Sequence, residues 1–286
     1  KPKNKEIKLN SVQDIIKQND STFWIATNGE GLFKLSVEGE GDEYNFVNFR
    51  ANDVNRYSVP NNIVNQTLLD KTGSIWVVTQ DGLGFFDPEK QGFQSYAYEY
   101  GNPKSVMDKT VWSIYQEDSI VWVGTRQGIT AIDRKNTKYY QFPFKSTNLN
   151  QPNNNSIYHI KKGPFGKIWT CTSSGVFILT VDFKNKNNFS YKKVNFRNEI
   201  DPWDDDHCYH ITFDSKNYGW ASCKEGLARI DAQDFESQFY TNDPNNPQSI
   251  SSESCRELYI DSSGQKWLAF SGSGFAKVNS VVINDS

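Results

Sequence analysis

The sequence contains few of the residues on which metal, redox and disulfide chemistry depend. Its 286 residues include three histidines, one methionine and four cysteines. No apolar run approaches the ~20 residues that a membrane-spanning helix requires. The net charge is only −3, and the basic residues are spread along the chain without the one-sided stripe that nucleic-acid binding needs. We therefore expect no nucleic-acid partner, and contact with a membrane only through segments that lie outside this chain.

Recognisable catalytic motifs are also missing. There is no Gly-x-Ser-x-Gly nucleophile motif and no phosphate-binding loop. His207 and His210 flank Cys-Tyr after three aspartates, but residues three apart on one strand project to opposite faces, which disfavours a shared metal. The acidic run Pro202–His207 has carboxylates that suit calcium, yet a solvated loop is the favoured interpretation. We expect no metal and no cofactor.

The cysteines show no Cys-x-x-Cys pairing and are too few for a disulfide-built fold. We expect them to be small buried strand residues, and they leave the redox compartment open. They are Cys171, Cys208, Cys223 and Cys255.

What the sequence does contain is a repeat. Six segments share a Trp, a short polar turn, a Gly and a second apolar run, as in "IWVVTQDGLGFFD" and "VWVGTRQGITAID". Successive tryptophans lie 46 to 52 residues apart. They are Trp24, Trp76, Trp122, Trp169, Trp220 and Trp267.

Each copy reads as a four-stranded meander. An Asp-x-x-Gly turn precedes the Trp in "DKTGSIW" and "DSSGQKW", and a second Gly turn follows in "TRQG" and "TQDG". Aspartate caps such turns through its carboxylate, and glycine supplies the positive φ. An apolar strand comes before the first turn, and a strand with paired aromatics, such as "FQSYAY", ends the copy.

A four-stranded repeat of this length is typical of a propeller blade, because a single meander cannot bury both of its faces. The sequence predicts an all-β fold, a single β-propeller domain over residues 1–286 with six antiparallel blades. Each repeated Trp should fill the gap between neighbouring blades. Ring closure would place "EIKLN" beside "FAKVN", and a seventh blade remains open if the chain is an excised piece.

The unit D-x-x-G-x-I-W-V-x-T-x-x-G-L-x-x-F-D, followed by an aromatic strand and an "NP-x-S" connection, resembles the two-component regulator propeller repeat. The match is best at Asp70–Asp87 and Val121–Asp133, and the fourth and sixth copies depart from it. The resemblance implies a periplasmic sensor of Bacteroidetes hybrid two-component systems that recognises oligosaccharides released from complex glycans. Histidine kinase, response-regulator and DNA-binding parts would lie elsewhere in the polypeptide.

Sensors of that family usually hold more repeats, often two propellers. We therefore expect this chain to be a portion of one, or a shorter relative. It opens with "KPKNKEIKLN" rather than a signal peptide, so any leader is expected outside it.

A candidate ligand site follows from the position five residues before each turn. In a propeller this position lies near the axis, beside the loops that join second to third strands. The residues there are Asp14, Asn65, Trp112, Tyr158, Tyr209 and Arg256. Aromatic faces stack on sugar rings, while Arg, Asn and Asp supply directional hydrogen bonds.

We predict an oligosaccharide site that joins some of these positions to residues of the neighbouring loops. Its residues are Trp112, Tyr158, Tyr209, Arg256, Arg126 and Trp203, with Gln127, Lys224 and Glu225 at the same mouth. The structural alternatives are that Trp112 and Tyr158 pack between blades and that Arg126 is a solvated turn residue.

Two other functions compete with sensing. Propeller glycosidases and lyases exist, and the turns resemble the sialidase Asp-box. However, Asp70 and Trp76 are one residue further apart than that box allows, and no arginine triad is recognisable, so we do not expect an enzyme. The chain could instead be a protein-interaction platform, as a homodimer or with a second propeller.

Overall fold

Short apolar strands alternate with polar turns along the chain, and Asp and Gly recur in those turns. Glycine closes them because it reaches positive φ without steric cost; Gly73 and Gly264 have φ of 84° and 83°. The computed structural model describes residues 9, 11–38, 43–88, 91–144, 156–183, 189–196 and 207–278. The chain divides into two units, Lys1–Pro143 and Phe144–Ser286.

The first unit contains three antiparallel sheets of four strands, and strand order follows chain order in each. The first sheet comprises β1 (Val12–Asn19), β2 (Thr22–Thr27), β3 (Leu32–Glu38) and β4 (Glu43–Phe49). The second comprises β5 (Val64–Leu69), β6 (Ile75–Thr79), β7 (Gly82–Asp87) and β8 (Gly92–Tyr96). The third comprises β9 (Val111–Glu117), β10 (Ile120–Thr125), β11 (Gly128–Asp133) and β12 (Lys138–Pro143).

The second unit also contains three sheets with sequential order. The first comprises β13 (Ile157–Lys162), β14 (Ile168–Thr172), β15 (Gly175–Val181) and β16 (Phe189–Lys193), with a 3-10 turn at Pro164–Gly166. The second comprises β17 (Cys208–Phe213), β18 (Tyr218–Cys223), β19 (Gly226–Asp231) and β20 (Ser237–Tyr240). The third comprises β21 (Cys255–Ile260), β22 (Lys266–Phe270) and β23 (Gly274–Val278).

These sheets are the six predicted blades, and the fold class is the all-β propeller that the sequence predicted. We number the blades 1 to 6 in chain order, so that blades 1–3 form the first unit and blades 4–6 the second. Blade 6 has three strands within the described residues. The predicted pairing of "EIKLN" with "FAKVN" falls largely outside those residues, and the single-domain organisation stays a prediction.

The repeated tryptophans pack between neighbouring blades within each unit, as expected. Trp24 of blade 1 is fully buried, and its ring centroid lies 5.2 Å from that of Phe86 in blade 2. Trp169 of blade 4 lies 5.4 Å from Phe213 of blade 5. Trp76 and Trp220 join apolar clusters with blades 3 and 6 in the same way. Truncating a buried Trp of this kind costs about 3–5 kcal/mol.

The first strand of each blade is a sheet edge, so its backbone N–H groups need partners from outside the sheet. In blades 2, 3 and 5, a side chain of the preceding blade supplies one. Asp14 Oδ2 accepts a hydrogen bond from the N–H of Thr67 at 2.7 Å. Gln66 Oε1 does the same for Ile114 at 2.9 Å, and His159 Nδ1 for Ile211 at 3.3 Å. These bonds fix the spacing between first strands.

All four cysteines are buried residues of strands, as expected. Cys208 and Cys223 also form a disulfide, whereas Cys171 and Cys255 are free thiols. Strand register brings the bonded pair together, since Cys208 on β17 lies directly opposite Cys223 on β18. That pairing is not readable from the spacing of the cysteines alone.

Replacing Asp14 with Ala should lower the free energy of unfolding by about 2 kcal/mol, because the substitution leaves the N–H and hydroxyl of buried Thr67 without their carboxylate acceptor. Urea unfolding followed by tryptophan fluorescence measures the change. Asp20→Ala is the matched control, since Asp20 is exposed and pairs with Lys17 at the surface, and it should leave the midpoint unchanged. Equal stability of both variants would contradict the role of Asp14.

When the protein is expressed in an oxidising compartment and then denatured, thiol titration should find two reactive thiols. After reduction it should find four. Reduction should also lower the free energy of unfolding by about 3 kcal/mol, since the bond closes a loop of 15 residues. Four thiols before any reductant is added would refute the disulfide.

Candidate functional site

A bulge interrupts the first strand of every blade near its start. The bulged residue has no partner in the ladder, and bulges typically re-aim a side chain. Five of the six positions predicted from the turns coincide with it, namely Asn65, Trp112, Tyr158, Tyr209 and Arg256.

In blade 1 the predicted position is displaced by one residue. The bulged residue is Gln13, not Asp14, because β1 has a second irregularity at Gln18. Gln18, six residues before Trp24, accepts the indole N–H at 2.9 Å. It therefore takes the place that an aspartate holds in blades 5 and 6.

Three of the predicted site residues come together in the second unit. The rings of Tyr158 and Tyr209 lie 5.7 Å apart, and the guanidinium of Arg256 lies 4.1 Å from the centre of the Tyr209 ring. His207 completes the group: it stacks on Tyr158 at 4.9 Å and its Nε2 lies 2.8 Å from the Tyr158 hydroxyl. We call these four residues the aromatic–guanidinium cluster.

The cluster combines two kinds of chemistry at one accessible place. Both tyrosines and His207 are half-buried, and Arg256 is exposed. Stacking on Tyr209 holds the guanidinium over the ring and leaves its N–H edges to donate hydrogen bonds. Such a group can pack against the apolar face of a flat ligand and bind its hydroxyl or carboxylate oxygens.

The predicted residues of the first unit have partners within the protein. Arg126 forms an ion pair with the buried carboxylate of Asp108 at 3.3 Å, and Gln127 donates to the same carboxylate at 2.9 Å. Asn65 donates to the backbone carbonyl of Val111 in the next blade at 2.6 Å. Trp112 is half-buried on β9.

The remaining predictions concern a residue before blade 5 and two residues in the turn between its second and third strands. Trp203 lies outside the described residues. Lys224 is exposed and Glu225 half-buried, in the turn after β18. The backbone N–H of Lys224 donates to the carbonyl of His207 at 2.7 Å, which brings this turn beside the cluster.

Sequence reasoning missed two contributors, His207 and Asp108. His207 comes two residues before Tyr209, and residues two apart on an extended chain share a face. That spacing was the available signal. Asp108 gave none, because its pairing with Arg126 depends on how the connection before β9 folds back.

His210, unlike His207, packs against His159 and not against the cluster. Its ring lies 4.2 Å from that of His159. Burial lowers the pKa of His159 well below its usual range, with His210 and Lys161 adding to the effect. Burial, followed by Lys161, lowers the pKa of His210 to about 3. Within the described ranges, no three His, Cys, Asp or Glu side chains converge as metal ligands would.

The described part of the chain has no helix of the length and hydrophobicity that crossing a membrane requires. No family model and no curated protein sequence matches the chain. Its fold defines it as a β-propeller, and solved structures place it within that class.

The extracellular domain assigned to the hybrid two-component system BT3049 from B. thetaiotaomicron is similar to this chain, with a TM-score of 0.70 and 19% identity over 96% of this chain and 34% of that one. PorZ, a surface component of the type-IX secretion system of Porphyromonas gingivalis, has a TM-score of 0.67 and 14% identity over 96% and 41%. Virginiamycin B lyase from Staphylococcus aureus has a TM-score of 0.63 and 12% identity over 93% and 83%.

These likenesses establish the fold. They confirm, for the fold, the resemblance to sensor propellers that the repeats indicated, since the extracellular domain of a B. thetaiotaomicron two-component system is similar in structure. This chain spans about a third of the length of that domain, with 34% covered. The site residues are not tested by the likeness.

Acid should destabilise the protein through His159 and His210. Their folded pKa values lie below the ordinary value of about 6.5, so the unfolded state binds more protons as pH falls below 6.5. Between pH 7 and pH 5.5, each should cost about 1 kcal/mol of unfolding free energy. Urea unfolding at both pH values measures the loss.

A matched pair of variants isolates the effect. His159→Gln should reduce the pH dependence by about half, since Gln66 holds the equivalent position in blade 2 and accepts the same backbone bond. His207→Gln leaves the imidazoles of His159 and His210 in place and should keep the full dependence. An unchanged slope in His159→Gln would show that His159 does not titrate in this way.

Proposed function

We propose that this chain is an extracytoplasmic ligand-sensing propeller of a two-component signalling protein and that it recognises glycan-derived oligosaccharides. The fold likeness to an extracellular domain of a hybrid two-component system, over 96% of this chain, supports the sensor role. The kinase that would transmit the signal belongs to other parts of such a protein.

The aromatic–guanidinium cluster is the observation that supports a sugar as the ligand. Tyr158 and Tyr209 present two neighbouring rings, and Arg256 stands over one of them. Sugar rings have apolar C–H faces that stack on aromatic rings, and their hydroxyl oxygens accept hydrogen bonds from guanidinium N–H groups. An acyclic or fully apolar ligand would use only one half of this arrangement.

A periplasmic location follows from the same proposal. The Cys208–Cys223 disulfide supports it, because disulfides persist in oxidising compartments such as the periplasm. The chain covers 34% of the similar extracellular domain, which leaves room for a second propeller. A homodimer is the alternative partner arrangement.

A lyase is the second candidate, and one contact favours it. The hydrogen-bonding distance of 2.8 Å between His207 Nε2 and the Tyr158 hydroxyl forms an acid–base pair beside Arg256, in a chain that shares its fold with virginiamycin B lyase. Product formation from a panel of oligosaccharides, lost in His207→Gln, would establish the enzyme. A panel that is neither bound nor cleaved, together with a mass that rises with concentration in light scattering, would establish an interaction platform instead.

Calorimetry with a panel of glycan fragments tests the sensor. Tyr209→Ala should weaken binding at least tenfold, about 1.4 kcal/mol, because it removes a stacking face and the support of Arg256. Tyr209→Phe should retain most of the affinity. Tyr259→Ala is the control, since Tyr259 is 63% exposed on β21 and contacts no member of the cluster in the described residues.

The thermal midpoint of each variant shows whether it is folded. Equal affinity of wild type and folded Tyr209→Ala for every bound fragment would remove the cluster from the site.

A further inference from the structure

A threonine at the end of the second strand closes the following turn in blades 1 to 4. Its hydroxyl donates a hydrogen bond to the carbonyl of the glycine that ends the turn, at 2.6 to 2.9 Å. The same hydroxyl accepts a backbone N–H of the turn. We call this arrangement the threonine clamp. Its residues, all buried, are Thr27, Thr79, Thr125 and Thr172.

Blade 5 has a cysteine where these blades have the threonine. Cys223 lies opposite Cys208 in the ladder, just as Thr79 lies opposite Val64 in blade 2. Because Cys223 is bonded to Cys208, its sulfur has no hydrogen to donate to the turn. Blade 5 therefore has a covalent bond between its first two strands at the position where blades 1 to 4 have the threonine clamp.

The disulfide lies directly beside the aromatic–guanidinium cluster. Cys208 stands between His207 and Tyr209 in the chain, and Tyr209 is the bulged residue without a ladder partner. At the other end of the bond, Cys223 precedes Lys224, whose backbone N–H donates to the carbonyl of His207 at 2.7 Å. The bond thus joins the segment that carries two cluster residues to the turn beside them.

The cluster depends on the position of that segment, because its contacts cross from blade to blade. His207 stacks on Tyr158 of blade 4 at 4.9 Å, and Tyr209 supports Arg256 of blade 6 at 4.1 Å. A bulged residue lacks the ladder bonds that fix its neighbours, so its position depends on the residues beside it. Groups that are already held in the binding arrangement bind a ligand more tightly, since less order is imposed on binding.

The bond is placed as a permanent support. Cys208 and Cys223 are 0% and 2% exposed. Thiol–disulfide exchange requires a thiolate to reach one of the sulfurs, so the bond stays closed while blade 5 is folded. Its burial favours a fixed role over a redox switch.

We propose that the Cys208–Cys223 disulfide is a positioning element of the ligand site. It holds His207 and Tyr209 in the binding arrangement and takes the place of the threonine clamp in blade 5. This role rests on the function proposed above for the cluster, and it is separate from the contribution of the bond to stability.

Two double variants that differ by one hydroxyl test this role. Cys208→Val/Cys223→Val removes the bond and supplies no clamp. Cys208→Val/Cys223→Thr supplies the pair that blade 3 has at Val111 and Thr125, which restores the clamp without the bond. Thr79→Val is the matched control, because it removes the clamp of blade 2, which belongs to the first unit.

Proton NMR of the imidazole C–H signals reports the position of His207 without any ligand. The chain has three histidines, so His207→Gln identifies the signals. Stacking on Tyr158 should shift them upfield in the wild type. The valine–valine variant should move them toward their unfolded values, whereas the valine–threonine variant and Thr79→Val should keep the wild-type shifts.

Calorimetry with maltose, cellobiose and lactose measures binding, and the thermal midpoint of each variant shows whether it is folded. A disaccharide that the wild type binds should bind the valine–valine variant about tenfold more weakly. The valine–threonine variant and Thr79→Val should bind it with wild-type affinity, even where their stability is lower.

Unchanged His207 signals in the folded valine–valine variant would overturn the proposal, as would wild-type affinity of that variant for a bound disaccharide. A folded valine–threonine variant that loses the shifts and the affinity would refute the exchange of clamp for bond. Absence of binding by the wild type would count against the sugar ligand, while the NMR comparison still decides whether the bond positions the cluster. The two failures are therefore distinguishable.

Discussion

The structure depends on a solution to one problem: the first strand of each blade exposes an unpaired row of backbone N–H groups toward its neighbour. Asp14, Gln66 and His159 solve it within the two units by accepting those N–H groups from the next blade. A carboxylate, an amide and an imidazole perform the same task. The requirement is therefore for an acceptor of the right reach, which explains why no single residue type repeats at this position.

The bulge beside each acceptor links that solution to recognition. An extra residue in the first strand leaves one side chain outside the ladder, and the acceptor follows it directly. The fold thus presents one variable residue per blade at an equivalent place, and in blades 1, 2 and 4 the residue that follows it binds the next blade. In the second unit these residues are Tyr158, Tyr209 and Arg256, which gather with His207. In the first unit Asn65 uses the position to bind the next blade.

The two ends of blade 5 show how the same repeat supports different chemistry. At one end, aromatic rings and a guanidinium are accessible together. At the other, Trp220 donates its indole N–H to Asp214, and Arg229 and Lys266 lie against the Trp220 ring.

Periodicity alone determined the blades, the wedge role of Trp24, Trp76, Trp169 and Trp220, and five of the six equivalent positions that the structure shows to be bulges, because these features recur at a fixed distance from a recurring turn. Features that depend on contacts between distant segments were decided only by the tertiary structure. The Cys208–Cys223 bond needed the register of β17 on β18, the displaced position in blade 1 needed the extra residue at Gln18, and the Arg126–Asp108 pair needed the path of a connection. A sequence repeat fixes which residues are equivalent, whereas packing between different copies decides which of them meet.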